Sequence, residues 1–161
     1  MIVVTGPEST GKSTLAQCLG EELNLPVVPE AAREYLQDAH YSPGDVLNIA
    51  QLQIESEKPN AICDSDLQVI SIWWAERFGP VPHRITAMRA HLSPRRYLLC
   101  HPDLPWQPDP LRENPDDRDR LFQLYKQDLV DRGLDYAEVS GFGQERVDQA
   151  IAYCRKWLSA T

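Results

Sequence analysis

No stretch of this 161-residue chain approaches the roughly 18 consecutive apolar residues that a bilayer-spanning helix needs, so an integral membrane protein is not expected. The apolar run from Ile2 to Val4 is too short for the core of a signal peptide. Positive charge is in deficit too. Sixteen Lys and Arg stand against twenty-four Asp and Glu, a net charge of −8 that repels phosphate backbones and anionic lipid. Neither nucleic acid nor a membrane surface is an expected partner. The deficit is uneven: residues 1–80 carry twelve acids and four bases, residues 81–161 twelve of each, so an arginine clamp for an anion would come late in the chain. Cysteine motifs are missing as well. Cys18, Cys63, Cys100 and Cys154 are widely spaced, with no C-x-x-C pair, which argues against a zinc or redox site and suits buried thiols in a reducing cytoplasm. His40, His83, His91 and His101 form no motif and read as solvent-facing.

What is present is the material of one globular domain, residues 1–161, with 42% apolar and 25% charged residues. A chain of this size buries roughly 70% of its extended surface on folding. Five short apolar runs read as strands: Met1 to Thr5, Leu25 to Val28, Ala61 to Asp64, Tyr97 to Cys100, and Asp135 to Val139. Helical spacing separates them. Leu15, Leu19 and Leu23 share one face; Pro29 opens a helix running to about Ala39; Ser42 to Asp45 reads as a turn before a helix from Val46 that stops at Pro59. Leu67, Ile70, Trp74 and Phe78 mark the next helix, a short one follows near Ile85 to Leu92, and Val147 to Leu158 marks the last. Residues 101–115 hold five prolines and are expected to form an irregular lid-like loop. Asn114-Pro115-Asp116-Asp117 reads as the start of the helix after it. Strands alternating with helices imply an α/β fold, a parallel sheet with helices on both faces.

Gly6-Pro7-Glu8-Ser9-Thr10-Gly11-Lys12-Ser13 fits G-x-x-x-x-G-K-[ST] in full and lies between a predicted strand and a predicted helix, the context that a phosphate-binding P-loop needs. Residues Gly6, Glu8, Ser9, Thr10, Gly11, Lys12, Ser13 and Thr14 are thus the candidate ATP site. Lys12 would reach the β- and γ-phosphates, and the Ser13 hydroxyl would ligate Mg²⁺. Asp64 and Asp66 end the third strand, and period-2 alternation sets both on one side at the carboxyl edge, where open α/β sheets bind ligands. One would serve the Mg²⁺ shell and the other a sugar, unless Asp66 only caps the next helix. Glu30 ends the second strand with Arg33 one turn on; it is either a base for an attacking hydroxyl or half of a surface ion pair. Arg112 closes the proline-rich loop, and Arg118 shares a helix face with Phe122, Tyr125 and Leu129, where an arginine needs an anionic partner, a transferring phosphoryl group or a structural acid. Trp73 and Trp106 are candidates to stack on a substrate ring, or core residues.

Four stretches together resemble the NadR-type nicotinamide-riboside kinase family: GPESTGKST, Glu30 to Leu36, Asp64-Ser65-Asp66 through Trp73 to Gly79, and PDLPWQPDPLRENP followed by Arg118. The resemblance spans nearly the whole chain. It implies a P-loop kinase of the nucleoside- and nucleotide-kinase fold with sheet order 2-3-1-4-5, phosphorylating the ribose 5′-hydroxyl of nicotinamide riboside with ATP and Mg²⁺. It further implies that Glu30 and Arg33 lie near the acceptor hydroxyl, Asp64 and Asp66 near metal and ribose, and Arg112 and Arg118 in a lid over residues 101–118. The chain departs from the family at Val69 and Ile70, where two threonines are frequent. Bifunctional relatives add a nucleotidyltransferase domain for which 161 residues have no room, so kinase activity alone is expected. The competing expectations are a regulatory module that hydrolyses ATP slowly, and a P-loop kinase for another small metabolite.

Overall fold

The computed structural model describes residues 1–38 and 40–160. Five strands, β1 (Ile2–Thr5), β2 (Val27–Val28), β3 (Ile62–Asp64), β4 (Arg96–Cys100) and β5 (Tyr136–Val139), pair in parallel in the order β2-β3-β1-β4-β5. Val3 of β1 lies opposite Cys63 on one side and Tyr97 on the other. Strands buried on both faces read as unbroken apolar runs, which is why they were legible. Alternation then divides their side chains. Ile2, Val4, Ile62, Leu98 and Cys100 pack with Leu15, Ala16 and Leu19 of α1 (Lys12–Leu23) and with Ala150, Ile151 and Cys154 of α7 (Gly143–Ser159). Val3, Cys63, Tyr97 and Leu99 face Leu121, Phe122, Tyr125 and Leu129 of α6 (Arg118–Asp131). Each such side chain, fully buried, contributes about 1.5–3 kcal/mol of transfer free energy.

A third cluster joins α2 (Ala31–Tyr35), α3 (Pro43–Glu55), α4 (Leu67–Phe78) and α5 (His83–Ala90) through Ala31, Ile49, Leu67, Ile70, Trp74 and Ile85. This helical group stands beside the sheet and supplies the second wall of the cleft described below. Burial pushes the Cys63 and Cys154 thiols up to about 12 and raises Cys100 as well, as expected of structural cysteines. Among the described residues no helix is long and apolar enough to cross a membrane.

Helix ends depart from expectation for local reasons. Helix α2 starts at Ala31, not Pro29, because Glu30 is its N-cap and its carbonyl accepts from the Arg33 amide; it stops at Tyr35 as Leu36 turns extended. The expected end of this helix, Ala39, lies outside the described residues. Ser42 to Asp45 is not a separate turn but the first turn of α3: the Asp45 amide donates to Ser42 Oγ at 3.2 Å and the Ser42 amide to Asp45 Oδ2 at 2.7 Å. Ser42→Ala removes one side of this capping box and is expected to lower Tm by a few degrees in a thermal melt, with activity retained. Helix α6 begins at Arg118 rather than near Pro115, since the amides of Glu113 and Asn114 are held by Glu8 of the first loop instead of opening a helix. Helix α7 starts four residues before Val147, and α5 two before Ile85.

Candidate active site

The turn from β1 into α1 is shaped by two glycines. Gly6 has φ +131°, and a Cβ there would stand 2.8 Å from the Cys100 carbonyl oxygen; Gly11 has φ +74°, and its Cβ would stand 2.7 Å from Leu104 Cδ1. The backbone contact leaves room for glycine alone at position 6, and the left-handed backbone at position 11 favours it. Gly11 caps α1 without a side-chain hydrogen bond, and the first turn of α1 holds no acid, so the positive end of the helix dipole is left to an outside anion. The Thr10 hydroxyl and Lys12 Nζ both donate to the Pro7 carbonyl at 2.8 Å. Thr10 thus braces the loop with its side chain.

Glu8 and Ser9, expected at the nucleotide, use their side chains to fasten the proline-rich loop. Glu8 Oε2 accepts the Glu113 and Asn114 amides at 3.0 Å each, and Ser9 Oγ accepts the Gln107 amide at 2.9 Å. Further ties come from Arg33, which donates to Asp109 Oδ2 at 2.8 Å, and from Tyr41, whose hydroxyl donates to Glu113 at 2.8 Å. The lid therefore rests on the loop that binds phosphate. Glu8→Ala deprives two amides of their acceptor; limited proteolysis is expected to cut residues 101–117 several-fold faster in the variant without ATP, against an unchanged rate if the tie is idle.

Arg118, the expected anion partner, instead donates through Nη1 to the Ser9 and Leu104 carbonyls at 3.0 and 2.8 Å and lies over the Trp106 ring, 5.8 Å from its centroid. It and Trp106 stand outside the lining of the cleft, clamping lid to loop. Arg112 does line the cleft; its guanidinium donates through Nη1 to the Gln107 carbonyl.

The two aspartates part company. Ser65 between them takes φ +65°, which breaks the alternation that would have set both on one side. Asp66 turns into the protein: Oδ1 accepts the Gln68 amide at 2.8 Å, while Oδ2 accepts Tyr97 Oη at 2.8 Å and Arg95 Nη1 at 3.1 Å. It is a helix cap in a buried network with Glu57, and like Asp64 it lies outside the cleft lining. Asp64 is buried, and its Oδ1 has no partner. An orphaned carboxylate oxygen at the end of β3, with the Ser13 hydroxyl open on the cleft, suits the shell of a divalent cation whose remaining ligands are phosphates and waters. Among the described residues no group of three or more His, Cys, Asp or Glu forms a protein cage, which is the usual state of affairs for Mg²⁺ at a nucleotide.

Glu30 and Arg33 both line the cleft, paired at 3.4 Å. Burial raises the Glu30 carboxyl above its ordinary value; Lys12 and Arg33 oppose this, Asp64 and Asp109 reinforce it, and burial prevails. Trp73 also lines the cleft, its Nε1 donating to Tyr41 Oη at 2.7 Å. The cleft measures about 970 Å³, at the upper end for ligand sites.

Two residues escaped the sequence. Arg146, 4% exposed, donates to the Thr10 carbonyl at 2.8 Å and the His101 and Gly141 carbonyls at 3.2 and 3.1 Å, tying the phosphate loop to the ends of β4 and β5. It precedes Ala150 and Cys154 at i+4 and i+8, the same signal of an arginine on an apolar face that marked Arg118. Gln68 is fully buried: it accepts from Thr5 Oγ1 at 2.7 Å and donates to the Tyr125 carbonyl at 3.1 Å, linking β1 to α6. Nothing in the pattern distinguishes it from a surface glutamine. His101 is half-buried rather than solvent-facing, with Nε2 2.7 Å from Glu138 and its ring against Phe122.

A glycine-bent loop feeding a helix N-terminus at the carboxyl edge of a 2-3-1-4-5 parallel sheet is the architecture of a P-loop nucleotide-binding protein. The chain belongs to the AAA domain family AAA_28, matched over residues 1–146. No curated protein matches it in sequence. Among solved structures it is similar to YorR from Bacillus subtilis in complex with phosphorylated GDP (17% identity, 99% of this chain and 98% of that one, TM-score 0.65). It is similar also to NadR in complex with NR (19%, TM-score 0.71), covering 96% of this chain but only 48% of that one, and so spanning about half its length. The deoxyadenosine kinase of M. mycoides gives 14% identity, 99% coverage of both chains and a TM-score of 0.63. The fold is thus one shared with solved small-molecule kinases.

Proposed function

We propose that this protein is an ATP- and Mg²⁺-dependent kinase of a small alcohol, with the ribose 5′-hydroxyl of nicotinamide riboside or a related nucleoside as its leading acceptor. One observation carries the reading: a single cleft joins the phosphate loop to a second wall that carries Leu36, Val69, Ile72 and Trp73 together with the Glu30 carboxylate. Hydrolysis of ATP requires only the first half. The resemblance to NadR-type kinases and the likeness of fold to NadR in complex with NR support the acceptor class.

In this reading the terminal phosphates of ATP lie at the N-terminus of α1, with Lys12 leaving the Pro7 carbonyl to meet them. The acceptor oxygen forms a bond to the γ-phosphorus as the bond from that phosphorus to the β,γ-bridging oxygen breaks. The electron pair leaves with ADP, and the hydroxyl proton passes to Glu30. Arg112, on the lid, faces the charge on the equatorial oxygens. Mg²⁺, when bound, neutralises phosphate charge, and Ser13 and Asp64 are the residues that would hold it. The lid, fastened by Glu8, Ser9 and Arg118, keeps water from the γ-phosphate.

Membership of the AAA domain family keeps a second reading, a slow ATPase that signals its nucleotide state. ADP formation measured with and without nicotinamide riboside and other nucleosides, with product mass, separates the two. The kinase reading expects ADP and a nucleoside monophosphate in equal amounts only when an acceptor is present; ADP formed at one rate regardless of acceptor favours the ATPase.

A further inference from the structure

The charges on the cleft wall do not balance locally. Each cleft-facing acid already has a donor: Glu8 the two lid amides, Glu30 Arg33, Glu76 Arg120, and Glu113 the Tyr41 hydroxyl. Three cleft-facing cations have no carboxylate within ion-pair distance among the described residues: Lys12, Arg112 and Arg77. The triphosphate accounts for Lys12 and Arg112, which lie on the phosphate loop and its lid. Arg77 is left over.

Its position tells what it faces. Val69, Ile72, Trp73, Glu76 and Arg77 form one stripe of α4 along the cleft. That helix begins beside Asp64, so at 1.5 Å per residue Arg77 stands about 12 Å beyond Val69, away from the reacting end. The span between is apolar on this stripe, with Val69 and Ile72 on the cleft and Trp73 beside them. Arg77 is itself exposed to solvent. Its guanidinium lies over the Tyr41 ring at 5.8 Å, and that ring packs edge-on to Trp73 at 4.8 Å between centroids. A planar guanidinium over an aromatic ring, its N–H edge free of acids among the described residues, matches a carboxylate in two-point contact.

Resting on the kinase reading, we propose that the acceptor carries a carboxylate on a flat unsaturated ring at the end remote from its hydroxyl, and that Arg77 binds it. Arg77 is then the residue that selects an acid over its amide.

The test uses two acceptors that differ at that group alone, the ribosides of pyridine-3-carboxylate and of pyridine-3-carboxamide, with the full chain and ATP·Mg²⁺. Wild-type protein is expected to favour the acid by about 10-fold or more in kcat/KM, chiefly through KM. Arg77→Ala should bring the acid-to-amide ratio to about one, and Arg77→Lys should restore part of it. Because the readout is a ratio within each variant, partial misfolding does not imitate it. Turnover that favours the amide, or an acid preference that survives Arg77→Ala, overturns the inference and leaves the kinase standing. Absence of transfer to either riboside contradicts the kinase reading and the inference with it.

Discussion

Lys12→Ala is expected to lower the rate of phosphoryl transfer by about 100- to 1000-fold, the loss found when one preorganised donor to developing charge is removed. Among the described residues Lys12 Nζ makes one hydrogen bond, to the Pro7 carbonyl of its own loop, and the side chain is half-exposed. Thr10 holds the same carbonyl independently, so the loop has a second brace when the lysine is gone. Folding should therefore survive while chemistry fails. A thermal melt close to that of the wild type, together with transfer reduced at least 100-fold in single-turnover quench, is the expected pair of results. Transfer within a few-fold of wild type would remove the phosphate loop from the mechanism.

The Glu30→Gln variant separates stability from chemistry in a way that few substitutions do. Burial raises the Glu30 carboxyl above its ordinary value of 4.5, so the folded protein prefers the protonated form. A raised folded-state value gives a contribution to stability that is full below the unfolded-state value and is lost as pH rises through the folded-state value. At neutral pH the ionised carboxylate is thus held against the preference of the fold, and the neutral amide should melt at the same temperature or higher. Proton acceptance needs the ionised form. Transfer by the wild type should rise with pH across a limb displaced above 4.5, and Glu30→Gln should lose about 100-fold or more in kcat along with that limb. Equal pH profiles for the two proteins would show that the proton leaves by another route.

The parallel sheet was legible because its strands are short, apolar on both faces and separated by helical spacing, and the phosphate loop because its glycines and lysine keep a fixed spacing that backbone geometry demands. Glu30 and Asp64 were legible as acids ending apolar runs. Asp66 was legible only in its alternative role as the cap of α4; the site role assumed unbroken alternation, and the left-handed backbone at Ser65 swings it into the protein to meet Arg95. Arg118 failed for a related reason. An arginine on an apolar face needs acceptors, but the two it finds are main-chain carbonyls brought near by the return of the lid, not an anion. The same rule applied to Arg146 would have found the brace of the phosphate loop. The boundaries of α2 and α6 were set by long-range ties, Glu8 to the lid above all, that local propensity does not contain.

The central claim is that the γ-phosphate goes to an alcohol and not to water. Turnover in ¹⁸O-enriched water tests it most directly, with nicotinamide riboside and its carboxylate analogue as acceptors and mass spectrometry of every phosphate-bearing product. Transfer to the alcohol gives a phosphorylated riboside free of solvent ¹⁸O, one for each ADP, with inorganic phosphate near the background. ADP accompanied only by inorganic phosphate that carries one solvent ¹⁸O would contradict it.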